Sequence, residues 1–291
     1  MTTYRSLFRG FTLMEFVVVI TVSGILGGVL APLIVNSVDA YATQGRRLAL
    51  VVEADGALTR MTRELRLALP NSIRVPDSGP CAGRCVEMLR TREGGVYRRS
   101  GPGDPLDFLS ADAGFDVLGQ LRTLGEVETG ADCATGDGDC LVVYNTGKPG
   151  GDAYAGDNRA TVTAVADDGG ADGSDRLTIT NPRLDAGRPA FPRGSPGGRF
   201  YLVDTPVTFL CDPGAGTLRR YQGYAIRAAQ AQVDSDAELV ARGAASGTRE
   251  RALVTEGVTD CRFAYRPGSL ARGGLARLSL TLAEAGETVT L

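Results

Sequence analysis

The chain has no histidine and no tryptophan, and lysine occurs once, at Lys148. Without histidine, Ser-His-Asp and Cys-His catalysis of the usual kinds are excluded, and so are His-ligated metal sites. Carboxylate or Ser-Lys chemistry survives that test. No G-x-S-x-G, Walker loop or S-x-x-K in a suitable setting occurs, however. Almost every basic residue is arginine. The formal net charge of −3 over 291 residues argues against a dedicated nucleic-acid binder. The pairs Arg98-Arg99 and Arg219-Arg220 read as solvated or salt-bridged faces. No internal repeat is evident. No small-residue cleavage site of the A-x-A kind follows the apolar N-terminal run, so that run is expected to be retained in the mature chain.

What is present starts with a short polar head carrying Arg5 and Arg9. It leads into Gly10-Phe11-Thr12-Leu13-Met14-Glu15 and the apolar run Phe16-Val17-Val18-Val19-Ile20. Residues 11–35 number 25, enough to cross a ~30 Å hydrocarbon core as a helix. The basic head is expected to stay cytoplasmic and the remainder to be exported. Glu15 is the anomaly. A carboxylate in a membrane helix costs ~2.5–3.5 kcal/mol on insertion scales and calls for a partner. This stretch resembles the type IV prepilin signal. The resemblance implies cleavage after Gly10 by a prepilin peptidase, methylation of Phe11 as the new N-terminus, and pairing of Glu15 with the N-terminal amine of a neighbouring subunit. Removal of residues 1–10 takes away two arginines, so the side-chain charge becomes −3 − 2 = −5. The plain alternative is a signal anchor with a stray acid.

Gly24, Gly27 and Gly28 are small residues of the kind that let membrane helices pack closely. Pro32 removes a backbone donor and is expected to kink or loosen the helix, as the pilin resemblance also implies. From 36 to 69 the helix is expected to continue as an amphipathic one. Tyr41, Leu48, Val51, Val52, Leu58, Met61, Leu65 and Leu69 form its apolar stripe, with Arg46, Glu53, Arg60 and Glu64 opposite. Arg60 and Glu64 are spaced to pair, and Pro70 ends the helix at Leu69. The result is one helix of roughly 55 residues, ~80 Å long.

After Pro70 the chain reads as β. Strands are expected at 85–91, 140–145, 160–166, 176–180, 200–203, 207–211, 218–224, 258–266 and 275–282. The Asp/Gly-rich stretch 167–175 reads as a hairpin loop. Residues 182–198 read as an exposed loop, and 225–249 as a long loop or short helix. The final residues, 287–291, read as strand. Six cysteines in an exported domain read as a disulfide set whose pairing the sequence leaves open. Cys81–Cys85, Cys133–Cys140 and Cys211–Cys261 are preferred, the first two on proximity. The last joins two expected strands and ties the late part of the sheet together. A Cys₄ zinc site for the first four is the alternative, though their gaps are not the usual two-residue knuckle. Calcium is the one metal with some support. Asp132, Asp137 and Asp139 share one loop, and Asp167, Asp168, Asp172 and Asp175 share another, with Asp168, Asp172 and Asp175 the chosen ligands. Neither loop has the EF-hand pattern, and solvated turns explain both without a metal, so no cofactor is expected.

Further stretches narrow the resemblance. They are Asn36-Ser37-Val38-Asp39-Ala40-Tyr41, Arg63-Glu64-Leu65-Arg66-Leu67-Ala68-Leu69-Pro70-Asn71-Ser72-Ile73-Arg74-Val75, Gly83-Arg84-Cys85-Val86-Glu87 and Tyr201-Leu202-Val203-Asp204-Thr205-Pro206-Val207. Together they resemble MshO-type minor pilins of the MSHA (mannose-sensitive haemagglutinin) pilus system, with residues 95–200 carrying little of the likeness. Met14 and Phe16 depart from the more usual Leu or Val beside the carboxylate, and the resemblance implies a few residues past Leu291.

The expected protein is α+β. It comprises a leader (1–10), a transmembrane half-helix (11–35), an amphipathic half-helix (36–69) and an antiparallel β-rich domain (70–291). As a minor pilin it is expected to pass once through the bacterial inner membrane with its domain in the periplasm. It then joins a surface pilus without catalysing a reaction. Its partners would be the prepilin peptidase, other major and minor pilins, the inner-membrane assembly platform and the membrane, with no nucleic acid. The alternatives are a minor pseudopilin of a type II secretion system and, further off, a membrane-anchored periplasmic enzyme.

Overall fold

The computed structural model describes residues 12–167, 172–241, 250–268 and 273–291. It is α+β: one long N-terminal helix and an antiparallel β-rich domain. Helix α1 spans Leu13–Arg66, 54 residues, and runs unbroken past Pro32. The strands are β1 (Cys85–Val96), β2 (Gly114–Asp116), β3 (Cys140–Val143), β4 (Arg159–Ala166), β5 (Arg176–Thr180), β6 (Arg199–Asp212), β7 (Thr217–Gln222), β8 (Glu250–Glu256), β9 (Val258–Arg266), β10 (Leu275–Glu284) and β11 (Glu287–Thr290). Short helices α2 (Pro182–Asp185) and α3 (Asp236–Ala241) lie in the connections.

The helix ends three residues before the position expected from Pro70. Leu67 N–H bonds back to Glu64 O at 2.9 Å, and Leu69 N–H bonds to Leu89 O at 2.8 Å. Pairing with β1 therefore claims Ala68 and Leu69 before the proline does. The buried stripe matches the expected one in part, with Met61 and Leu69 buried and Leu58 and Leu65 packed on the core. Leu50, Ala54, Ala57 and Met61 face the domain, while Tyr41, Leu48 and Val52 are exposed. Small alanines at the contact let the helix approach the sheets closely.

The large sheet runs β2-β5-β4-β3-β6-β7-β8, with β1 also on β6. β1 lines one edge of β6 throughout, and β3 and β7 share the other edge. The two expected strands 200–203 and 207–211 are thus one strand. Pro206 lies where that second edge passes from β3 to β7, so its missing N–H interrupts no ladder there. Opposite it, the register with β1 slips around Arg90 and Thr91. The β4–β5 hairpin is as expected, and 176–180 and 258–266 match their strands. β2 and β8 are not among the expected strands. β2 has only three residues, and β8 begins and ends on charge as an edge strand. The stretch 182–198 is not simply exposed. Asn181 caps α2 and donates to Ala190 O at 2.8 Å, and Phe191 is buried. The stretch 225–249 carries α3, with its last eight residues outside the described set.

A second sheet, β11-β10-β9, packs with the large sheet against α1. The core under the helix joins Leu50, Ala54, Ala57 and Met61 to Val86, Met88, Val207, Phe209, Phe263, Leu280 and Leu282. A distal core gathers Phe115, Leu141, Val162, Leu177, Phe191 and Phe200. The three disulfides are Cys81–Cys85, Cys133–Cys140 and Cys211–Cys261. The third connects β6 to β9, so it ties two sheets together and not two strands of one. Closing a loop of 50 residues restricts the unfolded chain by about 4 kcal/mol in the chain-entropy treatment.

Candidate functional site

The N-terminal half of α1 is the first part of the site. Thr12 caps the helix, accepting from Glu15 N–H at 3.3 Å. Glu15 lies in the first turn, where a carboxylate is favoured by the helix dipole. Leu13, Met14 and Phe16 around it are exposed, and exposed apolar side chains continue to Val38. An 18-residue window here has a mean hydropathy of 2.4 and no buried residue. A side chain added at Gly24, Gly27 or Gly28 would meet open space, so this chain's own packing does not require those glycines. Among the described residues the Glu15 carboxylate has no partner. Gly10 and Phe11 lie outside the described residues, as does the leader. The segment is long and apolar enough to anchor the domain to a membrane.

The second part is the seam that holds the helix on the domain. Arg220 donates from Nε to both oxygens of Glu64, at 2.6 and 2.7 Å. Thr255 donates to Glu53 at 2.6 Å, and Arg47 pairs with Glu287. The helical period places Glu53 and Glu64 on the side facing away, but both carboxylates turn to the domain. The expected Arg60–Glu64 pair is stretched to 4.0 Å, because Arg220 is the closer partner of Glu64.

Just after the helix lies a buried polar cluster. Glu87 of β1 is fully buried and takes Arg74 Nε at 2.7 Å and the Tyr224 hydroxyl at 3.2 Å. The Arg74 guanidinium also donates to Ala228 O and Arg227 O, both at 2.8 Å, and lies 3.6 Å from the centre of the Tyr154 ring. Burial pushes the Glu87 carboxyl above its ordinary range, although Arg74 pulls it back. Burial also raises Tyr154 and Tyr224 well above the usual phenol value. A lone acid inside the apolar run Val86-Glu87-Met88-Leu89 is the signal that could have flagged Glu87. Nothing in the spacing names Arg74 as its partner.

The calcium candidates are not brought together. Asp168 lies outside the described residues. Asp172 pairs with Arg98 at 2.5 Å, and Asp175 is buried and accepts from Leu121 N–H. In the other loop Asp132 caps a turn through Ala134 N–H, Asp137 accepts from Ala131 N–H, and Asp139 meets Arg92 at 3.0 Å. Among the described residues no group of three or more His, Cys, Asp or Glu is arranged to hold a metal.

Asp139 is pushed up to about 6, chiefly by burial, against the pull of Arg92. A carboxyl raised in the fold is still protonated there when the unfolded chain has already ionised. Its unfavourable contribution is therefore absent below about 4 and complete above about 6. The difference, 6 − 3.8, is worth at most about 3 kcal/mol lost as pH rises through that window. Carboxyl-carbon NMR is expected to show Asp139 titrating near pH 6. A midpoint in the ordinary aspartate range would refute the assignment.

No family model matches this chain, and neither a curated protein nor a solved structure is significantly similar to it.

Proposed function

We propose that the chain is a subunit of the type IV pilin class, a non-enzymatic protein that passes from the bacterial inner membrane into a filament. Within that class we assign it as an MshO-type minor pilin of the MSHA pilus system. The observation that carries the class is the unpartnered Glu15 carboxylate in the first turn of an exposed apolar helix. A membrane anchor alone has no use for that acid, since it opposes insertion. A filament uses it, because the acid of one subunit is met by the N-terminal amine of the next. The narrower assignment rests on the sequence stretches at 36–41, 63–75, 83–87 and 201–207. The size of the β domain suits a subunit that initiates or caps a fibre, because a bulky domain disturbs a regular lattice.

In this reading α1 begins in the inner membrane with the β domain in the periplasm. A prepilin peptidase removes 1–10 and the assembly platform lifts the subunit out of the bilayer among other major and minor pilins. The intact mass of the purified mature protein tests it. The expected chain begins at Phe11 and carries one added methyl group. A mature chain beginning elsewhere, or an unmodified Phe11, defeats the proposal. A pseudopilin of a type II secretion system would share this N-terminus but would be absent from sheared surface fibres, and its deletion would block secretion.

A further inference from the structure

A pocket of about 560 Å³ lies beside the distal core, built from residues between 131 and 185. Its lining comes from the start of β4, the end of β5, the Cys133–Cys140 loop and α2. Cross-links hold these pieces together. Cys133 N–H donates to Thr161 Oγ1 at 3.0 Å. Asn181 donates to Arg159 O at 3.1 Å and to Ala190 O at 2.8 Å, and it accepts from Leu184 N–H at 3.1 Å. The fold itself therefore keeps the lining in place.

Arg159 sets the chemistry of the pocket. Its guanidinium is largely buried, and Nη1 donates to Ala153 O at 2.6 Å and to Tyr154 O at 3.1 Å, neither of which carries charge. Arg74, Arg98 and Arg220 are also drawn into the domain, each opposite a carboxylate: Glu87, Asp172 and Glu64. Arg159 forms no ion pair with a described residue. Burial pulls its guanidinium below the ordinary value, and the pull of Asp132 and Asp152 does not restore it. An enclosed cation without a counterion is costly, and a bound anion would offset that cost. Nε and Nη2 have no hydrogen-bond partner, yet neither is sealed from solvent, so that edge opens to the pocket. It is the edge of the guanidinium that meets both oxygens of a carboxylate. Gly156 lies against it with φ of 88°, and a side chain there would begin 3.5 Å from Nη2 and 3.8 Å from Nε. Glycine keeps the edge clear. Arg183, tied by Nε to Pro189 O at 2.9 Å, adds a second guanidinium to the lining.

The exposed acids Asp132 and Asp185 complete the charged lining. Two cations and two anions suit a singly charged ligand better than a phosphate dianion, which the two carboxylates repel. The apolar part of the lining is alanine, one proline and the Cys133 side of a disulfide. No aromatic or branched aliphatic side chain is there to hold a hydrophobic ligand, so polar contacts must hold it. We propose that this pocket binds a hydroxylated monocarboxylate, the chemistry of a sugar acid. The open edge of Arg159 takes the carboxylate, Arg183 supplies the second positive charge, and Asp132, Asp185 and the Thr180 hydroxyl take the hydroxyl groups. This inference does not rest on the filament assignment.

The test titrates the full chain in detergent with D-glucuronate by isothermal calorimetry. Glucuronate is expected to bind at least about tenfold more tightly than D-glucose, which lacks the carboxylate, and than acetate, which lacks the hydroxyls. Arg159→Lys keeps the charge and loses the planar edge, and it is expected to weaken glucuronate by about tenfold. Should that variant misfold, Ala155→Glu decides the matter, for it alters an exposed lining residue and adds a carboxylate that competes with the ligand. It too is expected to weaken glucuronate at least about tenfold. Equal binding of the methyl glycoside of glucuronate supports a sugar acid at the end of a glycan, and binding of the free acid alone supports a soluble one. No binding of glucuronate, equal binding of glucose or acetate, tighter binding of inorganic phosphate, or undiminished binding by Ala155→Glu overturns the proposal.

Discussion

Glu15→Ala is expected to leave the chain inserted in the membrane and to remove it from sheared fibres. The physical reason is asymmetric. Insertion gains, because the substitution takes a carboxylate costing ~2.5–3.5 kcal/mol out of the hydrocarbon region. Assembly loses, because a charge-assisted contact is worth about 1.5–3 kcal/mol and is made at a subunit junction. A loss of that size lowers incorporation about tenfold to a hundredfold per junction. Immunoblots of membrane and sheared fractions read the two effects separately. Glu15 has no contact with the β domain that could confuse the result, since the nearest described residues are exposed turns of its own helix. Normal amounts of the variant in fibres would sink Glu15 as the assembly contact, and absence of both parent and variant from sheared fibres would sink the filament proposal.

Glu87→Ala is expected to reduce the unfolding free energy of the β domain by about 3–5 kcal/mol in urea titrations. Removing the carboxylate leaves the Arg74 guanidinium charged, largely buried and without its counterion, although Ala228 O and Arg227 O still accept from it. It also strips the Tyr224 hydroxyl of one partner, leaving only Thr208 at 2.5 Å. Glu87→Gln keeps an acceptor and the shape, so its loss is expected to be smaller. Tyr224→Phe is expected to cost about 1 kcal/mol, the worth of a single hydrogen bond. Equal stability of Glu87→Ala and the parent would mean that the cluster contributes nothing net. The cluster joins the segment after α1, strand β1 and the 224–228 segment. Its loss is therefore expected to loosen the hold of the domain on the helix before it disturbs the distal core around Phe115 and Phe200.

The elements most legible in the sequence are those set by local chemistry. The apolar run, the acid at Glu15 and the hairpin between β4 and β5 depend on neighbours in the chain. The cysteine pairs Cys81–Cys85 and Cys133–Cys140 do too, since proximity brings them together. The resemblance stretches contained both halves of the buried pair, Arg74 in one and Glu87 in another, without any sign that the two meet.

The sequence by itself determined the existence and length class of the helix, its exposed apolar half with one carboxylate, and the β-rich character of the domain after Pro70. Each follows from periodicity, hydropathy or turn chemistry over a few residues. Tertiary structure decided which face of the helix docks, burying Leu50, Ala54, Ala57 and Met61 while Leu48 and Val52 stay exposed. It gave Glu64 to Arg220 in place of Arg60, 156 residues being no obstacle once the sheets are stacked. It fused two strands across Pro206 and ended α1 at Arg66 by pairing Leu69 with Leu89. Those outcomes are set by which main-chain groups find partners across the fold, and neighbouring residues in sequence carry no record of that.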